Sequence, residues 1–262
     1  MWVDSHNHLQ DPRAGDFAAV LAAMRQAGVE HCVVNATRES DWAAVEQLAA
    51  IEPDFISPAF GMHPWHADSA AGDWQGKLLS LLEKYPRASV GECGLDQWIS
   101  APGPAVQRPV FTDQLRLARE INRPVTIHCL RAWGGLFDCF AEAPPPPRFL
   151  MHSFNGSIEI ARRLIPLGAF FSFSGHFLHP RKSAVLEVFK QLPRDRILLE
   201  TDAPDMLPPA AMIIHPLPGN HNHPANLPAI GRALAKAMQI PPETLAALTR
   251  ANASACFGEF PG

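Results

Sequence analysis

Imidazoles and carboxylates stand where short apolar runs of this chain end. Asp4-Ser5-His6-Asn7-His8 follows the first run and Gly91-Glu92-Cys93-Gly94-Leu95-Asp96 closes the fourth. His128 ends the fifth, His152 the sixth, and Glu200-Thr201-Asp202 the eighth. If the runs are strands, residues two apart project to one side, so His6 and His8 grip one ion together. Glu92 and Asp202 follow strongly apolar residues, and a buried carboxylate without a partner is costly. Lysine and arginine are scarce at these run ends, so a divalent metal is the expected counter-charge, with neutral imidazoles completing its coordination. Glu92, with two oxygens, is expected to bridge two ions. His128 and His152 complete the second, while Asp202 ligates the first and accepts a proton from the attacking water. Two ions would polarise a phosphoryl or carbonyl oxygen and lower the pKa of water. An isolated HxH pair or a lone strand-end histidine is more often an ordinary core residue. The case rests on six ligands falling at equivalent ends of five runs.

The elements that must position these groups are short apolar stretches at 2–5, 31–36, 55–61, 88–93, 124–129, 148–153, 169–174 and 196–201. Amphipathic stretches such as 17–28, 41–51, 110–122, 158–168 and 184–192 lie between them. The apolar runs are continuous rather than alternating, as in a parallel sheet buried on both faces. Eight such units at a spacing of about 25–30 residues predict an α/β fold, a (β/α)8 TIM barrel, whose reacting groups sit at the C-terminal ends of the strands. Gly28 and Gly168 fall where helices favour a left-handed C-terminal glycine. Prolines cluster at 101–104 and 144–147, which read as loops. Residues 223–262 read as the last barrel helix with one or two further helices, and residues 1–262 as a single domain. No GxGxxG or GxxxxGK[ST] loop follows the first run, which argues against dinucleotide-binding and P-loop folds.

A formal net charge of −4 argues against a generic duplex-binding surface, which needs a basic field to displace counterions. It leaves open a strand end held in a metal-lined pocket. The five cysteines are odd in number and contain no CxxC pair, so they read as small buried residues in a reducing compartment. Cys93 and Cys129 adjoin expected ligands but should point to the opposite side of their strands. No signal peptide and no membrane-spanning run is visible, so a cytoplasmic protein is expected, with a monomer favoured.

DSHNHL (4–9), GMHP (61–64), GECGLD (91–96), PVTIHC (124–129), MHSFNGS (151–157) and LLETDAPDM (198–206) resemble the TatD family of metal-dependent hydrolases, in that order and over essentially the whole chain. The resemblance implies a barrel with one or two divalent ions (Zn, Mn, Mg, Co or Fe) and, for several members, deoxyribonuclease activity. Carried over, His6 and His8 with Asp202 look like one metal site, Glu92 like the shared ligand, and His128 with His152 like the second site. His63 looks suited to a substrate phosphate.

The departures lie in substrate-facing loops. Cys129-Leu130-Arg131 stands where the family usually carries Ser-Arg-Asp, so Arg131 is expected either as a phosphate contact one position along or as a side chain pointing to solvent. Gln97-Trp98 replaces the usual aromatic pair, and Gly219-Asn220-His221-Asn222-His223-Pro224 is unlike the usual late motif. His215, His221 and His223 are expected either as a cationic lip over the pocket or as a solvent-facing loop, and Trp65 and Trp98 either stack a base or lie half-buried against the barrel. The expected activity is phosphodiester hydrolysis on DNA ends or single strands by a metal-activated hydroxide, with Asp202 as general base and Glu92 between the ions. The alternatives are amide, ester or lactone hydrolysis at the same centre, and a non-catalytic metal-binding barrel, whose mark would be a missing ligand.

Overall fold

The structure, a computed structural model, describes residues 1–70 and 72–260; the last two residues of the expected C-terminal stretch lie outside it. Eight parallel strands pair in sequence order: β1 (Trp2–Asn7), β2 (Val29–Asn35), β3 (Ile56–Phe60), β4 (Ser89–Asp96), β5 (Val125–Leu130), β6 (Phe149–Met151), β7 (Ala169–Ser174) and β8 (Ile197–Glu200). Between β8 and β1 the barrel is drawn together by main-chain and side-chain hydrogen bonds. Asp202 N–H donates to His6 C=O (3.0 Å), His8 N–H to Ala203 C=O (2.8 Å) and Ser5 Oγ to Leu199 C=O (2.9 Å). Asp4 crosses the same seam, accepting from Thr201 N–H (2.9 Å) and Thr201 Oγ1 (2.6 Å).

Helices α1 (Phe17–Ala27), α2 (Trp42–Ile51), α3 (Trp74–Lys84), α4 (Pro104–Glu120), α5 (Trp133–Glu142), α6 (Ile158–Leu164), α7 (Ser183–Phe189), α8 (Leu227–Ala237) and α9 (Pro242–Phe257) complete the fold. Their ends follow local chemistry. Asp16, Asp73 and Ser157 cap α1, α3 and α6 by accepting main-chain N–H groups, satisfying donors that the first turn leaves free. Gly28 closes α1 in the left-handed region (φ 92°), as the sequence suggests. The stretch 158–168 is not one helix: α6 stops at Leu164 and a 3-10 turn carries the chain to Gly168. Pro166 has no N–H to continue the ladder, which accounts for the break. At α4 the difference runs the other way, because Pro104 serves as an N-terminal helical residue and the helix starts before the stretch 110–122.

Two apolar layers hold the barrel. The larger lies between strands and helices and includes Cys32, Val34, Cys93, Cys129, Phe149 and Phe171. A second cluster takes Val3, Val33, Ala59, Leu150, Phe170 and Leu198 from alternate strand positions, and Ala253, Cys256 and Phe257 of α9 join it. Asn252 of α9 ties this helix to the start of β8 by donating to Arg194 and Ile197 carbonyls (both 2.8 Å). All five cysteines are free and buried, and burial pushes their thiols up, as inert core residues require. Cys93 and Cys129 belong to the outer layer, away from the ligands beside them. No helix among the described residues is long and apolar enough to cross a membrane.

Candidate metal centre

The polar end of the barrel is built where these strands stop. β1 is buried from Trp2 to Asn7 and carries His6 and, just past its end, His8. β4 extends to Asp96, beyond the expected 88–93, and carries Glu92 into the centre. That reach depends on Gly61, where a side chain would press within 2.8 Å of Gly91 Cα. Gly94 matters likewise, since a Cβ there would collide with the His128 carbonyl. The chain turns left-handed at Arg131 (φ 57°), Ser153 (φ 41°) and Asp202 (φ 53°), just past β5, β6 and β8. L-residues adopt this conformation at some cost, and here it recurs just past three strands at the polar end of the barrel.

Six expected ligands meet here. His6 Nε2 lies 3.2 Å from His8 Nε2, 3.3 Å from Glu92 Oε2 and 3.3 Å from Asp202 Oδ1. His8 Nε2 is 3.4 Å from each of the same two oxygens. His6, His8 and Glu92 thus offer one ligand atom each within 4.8 Å of one another, close enough to share a single ion. On the other side Glu92 Oε1 is 2.8 Å from His152 Nε2, 3.2 Å from His128 Nδ1 and 3.3 Å from His63 Nε2. His128 Nδ1 and His152 Nε2 are 3.1 Å apart. His152 also stacks on His6 (centroids 4.1 Å, 19°), and His6, His152 and Asp202 form a third group able to hold an ion. The donor set therefore fits divalent ions on both sides of Glu92.

Electrostatics point the same way. Burial pushes the Glu92 carboxyl up, but His152, His63 and His6 outweigh it and hold Glu92 well below the usual carboxylate range. Burial also opposes ionisation of Asp202, yet His6 and His8 hold it below its ordinary value. Burial lowers His8 and His128, and the carboxylates facing them (Asp202 and Glu92 for His8, Asp96 and Glu92 for His128) raise both overall. Anionic carboxylates thus demand positive charge at this point, and metal binding at imidazoles displaces protons to supply it.

The ring nitrogens turned away from the centre are held by outer partners. His8 Nδ1 faces the Asn35 carbonyl (2.7 Å), which can only accept, so Nδ1 carries the proton and Nε2 faces the cluster. His128 Nε2 faces Asp96 Oδ2 (2.9 Å), leaving Nδ1 for the cluster. Burial pushes Asp96 up, and contacts with His128, Trp65 and Trp98 bring it down to about 2. His152 Nδ1 lies 3.8 Å from Glu200 Oε1, too long for a hydrogen bond. Glu200 instead accepts from Ser153 N–H (2.8 Å), Ser153 Oγ (2.5 Å) and Ser172 Oγ.

The remaining candidates fall differently. His63, expected at a substrate phosphate, sits in the group with Glu92 and His128, and burial lowers it to about 4. Arg131 lies over the Trp98 ring, its guanidinium carbon 4.0 Å from the centroid. His221 pairs with Leu217 at the base of a small hairpin and joins none of the ligand groups. His223 is buried and caps the turn Pro224–Asn226 by accepting Ala225 N–H (3.0 Å). Burial and the neighbouring His215 lower it to about 4, so it is uncharged at neutral pH and acts as the cap of this turn. Its loop is pinned by Asn222, which donates to Thr201 C=O (2.9 Å), and by Asn226, which accepts Ile214 and His215 N–H groups. Asp96 is the residue that sequence reasoning passed over as the partner of His128; its signal was a carboxylate at a strand end with no nearby cation.

Known proteins resemble this chain over nearly its whole length. YabD of Bacillus subtilis strain 168, an uncharacterized metal-dependent hydrolase, is 33% identical over 98% of this chain and 99% of its own. The 3'-5' ssDNA/RNA exonuclease TatD of Edwardsiella piscicida is 32% identical over 93% of this chain and 94% of its own. The crystal structure of YjjV, a TatD homolog from Escherichia coli K12, superposes with a TM-score of 0.87 at 28% identity, covering 98% of both chains. The family model described as TatD related DNase matches residues 3–258. With that match running from β1 through α9, the chain belongs to the TatD-related DNase family.

Proposed function

We propose that the chain is a divalent-metal-dependent phosphodiesterase that removes nucleotides from ends of single-stranded nucleic acid. The observation that carries this reading is the sharing of Glu92, whose Oε2 faces His6 and His8 while its Oε1 faces His63, His128 and His152. In this reading His6, His8, Asp202 and Glu92 hold one ion, and Glu92, His63, His128 and His152 hold another. A donor set of imidazoles and carboxylates without thiolate suits zinc, manganese, cobalt or iron, and magnesium where water completes the shell. Such ions, when bound, supply Lewis acidity to a phosphoryl oxygen and lower the pKa of water.

The chain's own residues orient and move protons. Asp202 Oδ1 faces His6 and His8, whereas Oδ2 takes no hydrogen bond from the described residues. Oδ2 is therefore free to accept a proton from an attacking water. Asn35 and Asp96 fix the rings of His8 and His128, so neither must reorient during reaction. Relatives named as ssDNA/RNA exonucleases support a single strand as substrate. So does the net charge of −4, which lacks the field a duplex requires.

The test is release of mononucleotides from single-stranded DNA and RNA by metal-loaded protein, beside Asp202→Asn. The parent should release nucleotides, and the variant should be slower by about 100-fold or more, as expected for a lost general base. A metal-loaded parent that releases none while hydrolysing a small ester or lactone would overturn the reading.

A further inference from the structure

Trp65 and Trp98 are 50% and 62% exposed, unusual for so large an apolar side chain. Both hang on one carboxylate. Trp65 Nε1 donates to Asp96 Oδ2 (2.8 Å) and Trp98 main-chain N–H to Asp96 Oδ1 (2.6 Å). The same Oδ2 faces His128 Nε2 at 2.9 Å. Asp96 is itself locked by Gln107, whose Oε1 accepts Asp96 N–H (2.8 Å) and whose Nε2 donates to Asp96 C=O (2.9 Å). The edge of Trp65 also meets His63, with centroids 5.1 Å apart at 89°. Two exposed indoles are thus joined, through single contacts, to the imidazoles around Glu92.

The third member is Arg131. It is exposed, lies over Trp98, and has no carboxylate within ion-pair distance among the described residues. The Trp98 indole makes no hydrogen bond to the described residues, so its exposed ring serves no anchoring purpose of its own. An indole with an uncommitted guanidinium over its ring offers what a nucleobase recognises: a π-face for stacking and a planar cation for base or phosphate. Bases of a duplex are already stacked on both sides, so the surface suits a single strand.

We infer that Trp98 with Arg131, and Trp65 beside them, form a platform on which bases of a single strand stack while the adjoining phosphate reaches Glu92 and its imidazoles. This rests on the reading that the substrate is a nucleic-acid strand, and it names the residues that grip the bases. Asp96 couples platform and centre, so a base docked on Trp65 or Trp98 sets the distance of its phosphate from His128.

The experiment compares two strands of equal length and charge on metal-loaded protein by fluorescence anisotropy. One is a labelled phosphorothioate oligothymidylate; the other carries abasic tetrahydrofuran units in place of every thymidine. The parent should bind the base-bearing strand about 10-fold or more tightly, the effect of about one base stack. Trp98→Ala and Arg131→Ala should each erase most of that preference, while Trp98→Phe retains most of it. Unfolding midpoints matching the parent's establish that the variants are folded. Equal binding of the two strands by the parent, or an undiminished preference in Trp98→Ala, overturns the platform. The hydrolytic reading fails separately: a parent that prefers bases yet releases no nucleotides removes the proposed reaction and leaves the platform standing.

Discussion

On the side of the rim nearest the β8/β1 seam, His8 turns its Nδ1 to a main-chain carbonyl, that of Asn35 (2.7 Å). On the side formed by β4 and β5, His128 turns its Nε2 to a side-chain carboxylate, Asp96 (2.9 Å). The first partner belongs to β2 itself and cannot be removed without removing the strand. Asp4 and Thr201 reinforce that side across the seam with bonds of 2.9 and 2.6 Å. The second partner is one replaceable side chain, and it carries two exposed tryptophans as well. One half of the centre is therefore part of the barrel's own hydrogen bonding. The other is wired through Asp96 to two exposed tryptophans at the surface.

Glu92 belongs to both halves, so replacing it breaks both and gives the largest expected effect. Glu92→Gln keeps the size but removes the charge that five imidazoles face. Metal content should fall for both ions, and activity by about 1000-fold or more. Inductively coupled plasma analysis beside nucleotide release measures this, and a variant that keeps full metal content and turnover would remove Glu92 from the centre.

Asp96→Asn separates the halves. The variant weakens the acceptor that holds His128 while leaving His6, His8 and Asp202 untouched, and such outer partners typically contribute about 10- to 100-fold in metal affinity. Stepwise metal titration should show one ion weakened by that factor and the other unchanged. Equal weakening of both, or of neither, would erase the distinction between a main-chain-held and a side-chain-held half.

The same division explains what was legible in the sequence. His6, His8, His128, His152 and Asp202 lie within two residues of the ends of their strands, and Glu92 lies inside β4, which runs on to Asp96, so strand periodicity and burial cost pointed to them as candidates from sequence alone. The β/α alternation gave the barrel for the same reason. His63 lies three residues beyond the end of β3, in a turn, where its direction follows the loop rather than the strand period. Asp96 was hidden because β4 runs past Cys93, and its partnership with His128 crosses between strands. His223 depends on long-range bonds through Asn222 and Asn226 that no local pattern announces. Chain-local rules found the strand-borne residues on both sides of Glu92 and missed the connections that side chains make between them, such as that of Asp96 to His128.

The smallest expected effect tests whether the main-chain-held half depends on the stability of β2. His31 lies on this strand, below Asn35, and is buried with Nε2 2.9 Å from Ser57 Oγ and Nδ1 3.2 Å from the Asp54 carbonyl. Burial is the main cause that lowers it to about 4, with Arg87 and Arg250 adding to the effect. The unfolded chain takes up a proton here near pH 6.5, the folded chain only near 4. Stability from this group is therefore full above pH 6.5 and falls as pH drops toward 4, by on the order of 3 kcal/mol across the window. Asp4, which burial pushes up to about 7, slopes in the opposite sense, since its folded form holds a proton that the unfolded chain has released. Both proteins carry Asp4, so the difference between parent and His31→Gln isolates the histidine. Urea unfolding at pH 7.5 and 4.5 should show a smaller loss in the variant, while metal affinity at pH 7.5 stays at the parent's value. Identical losses in the two proteins would mean that His31 is protonated in the folded state and that β2 owes its acid sensitivity to another group.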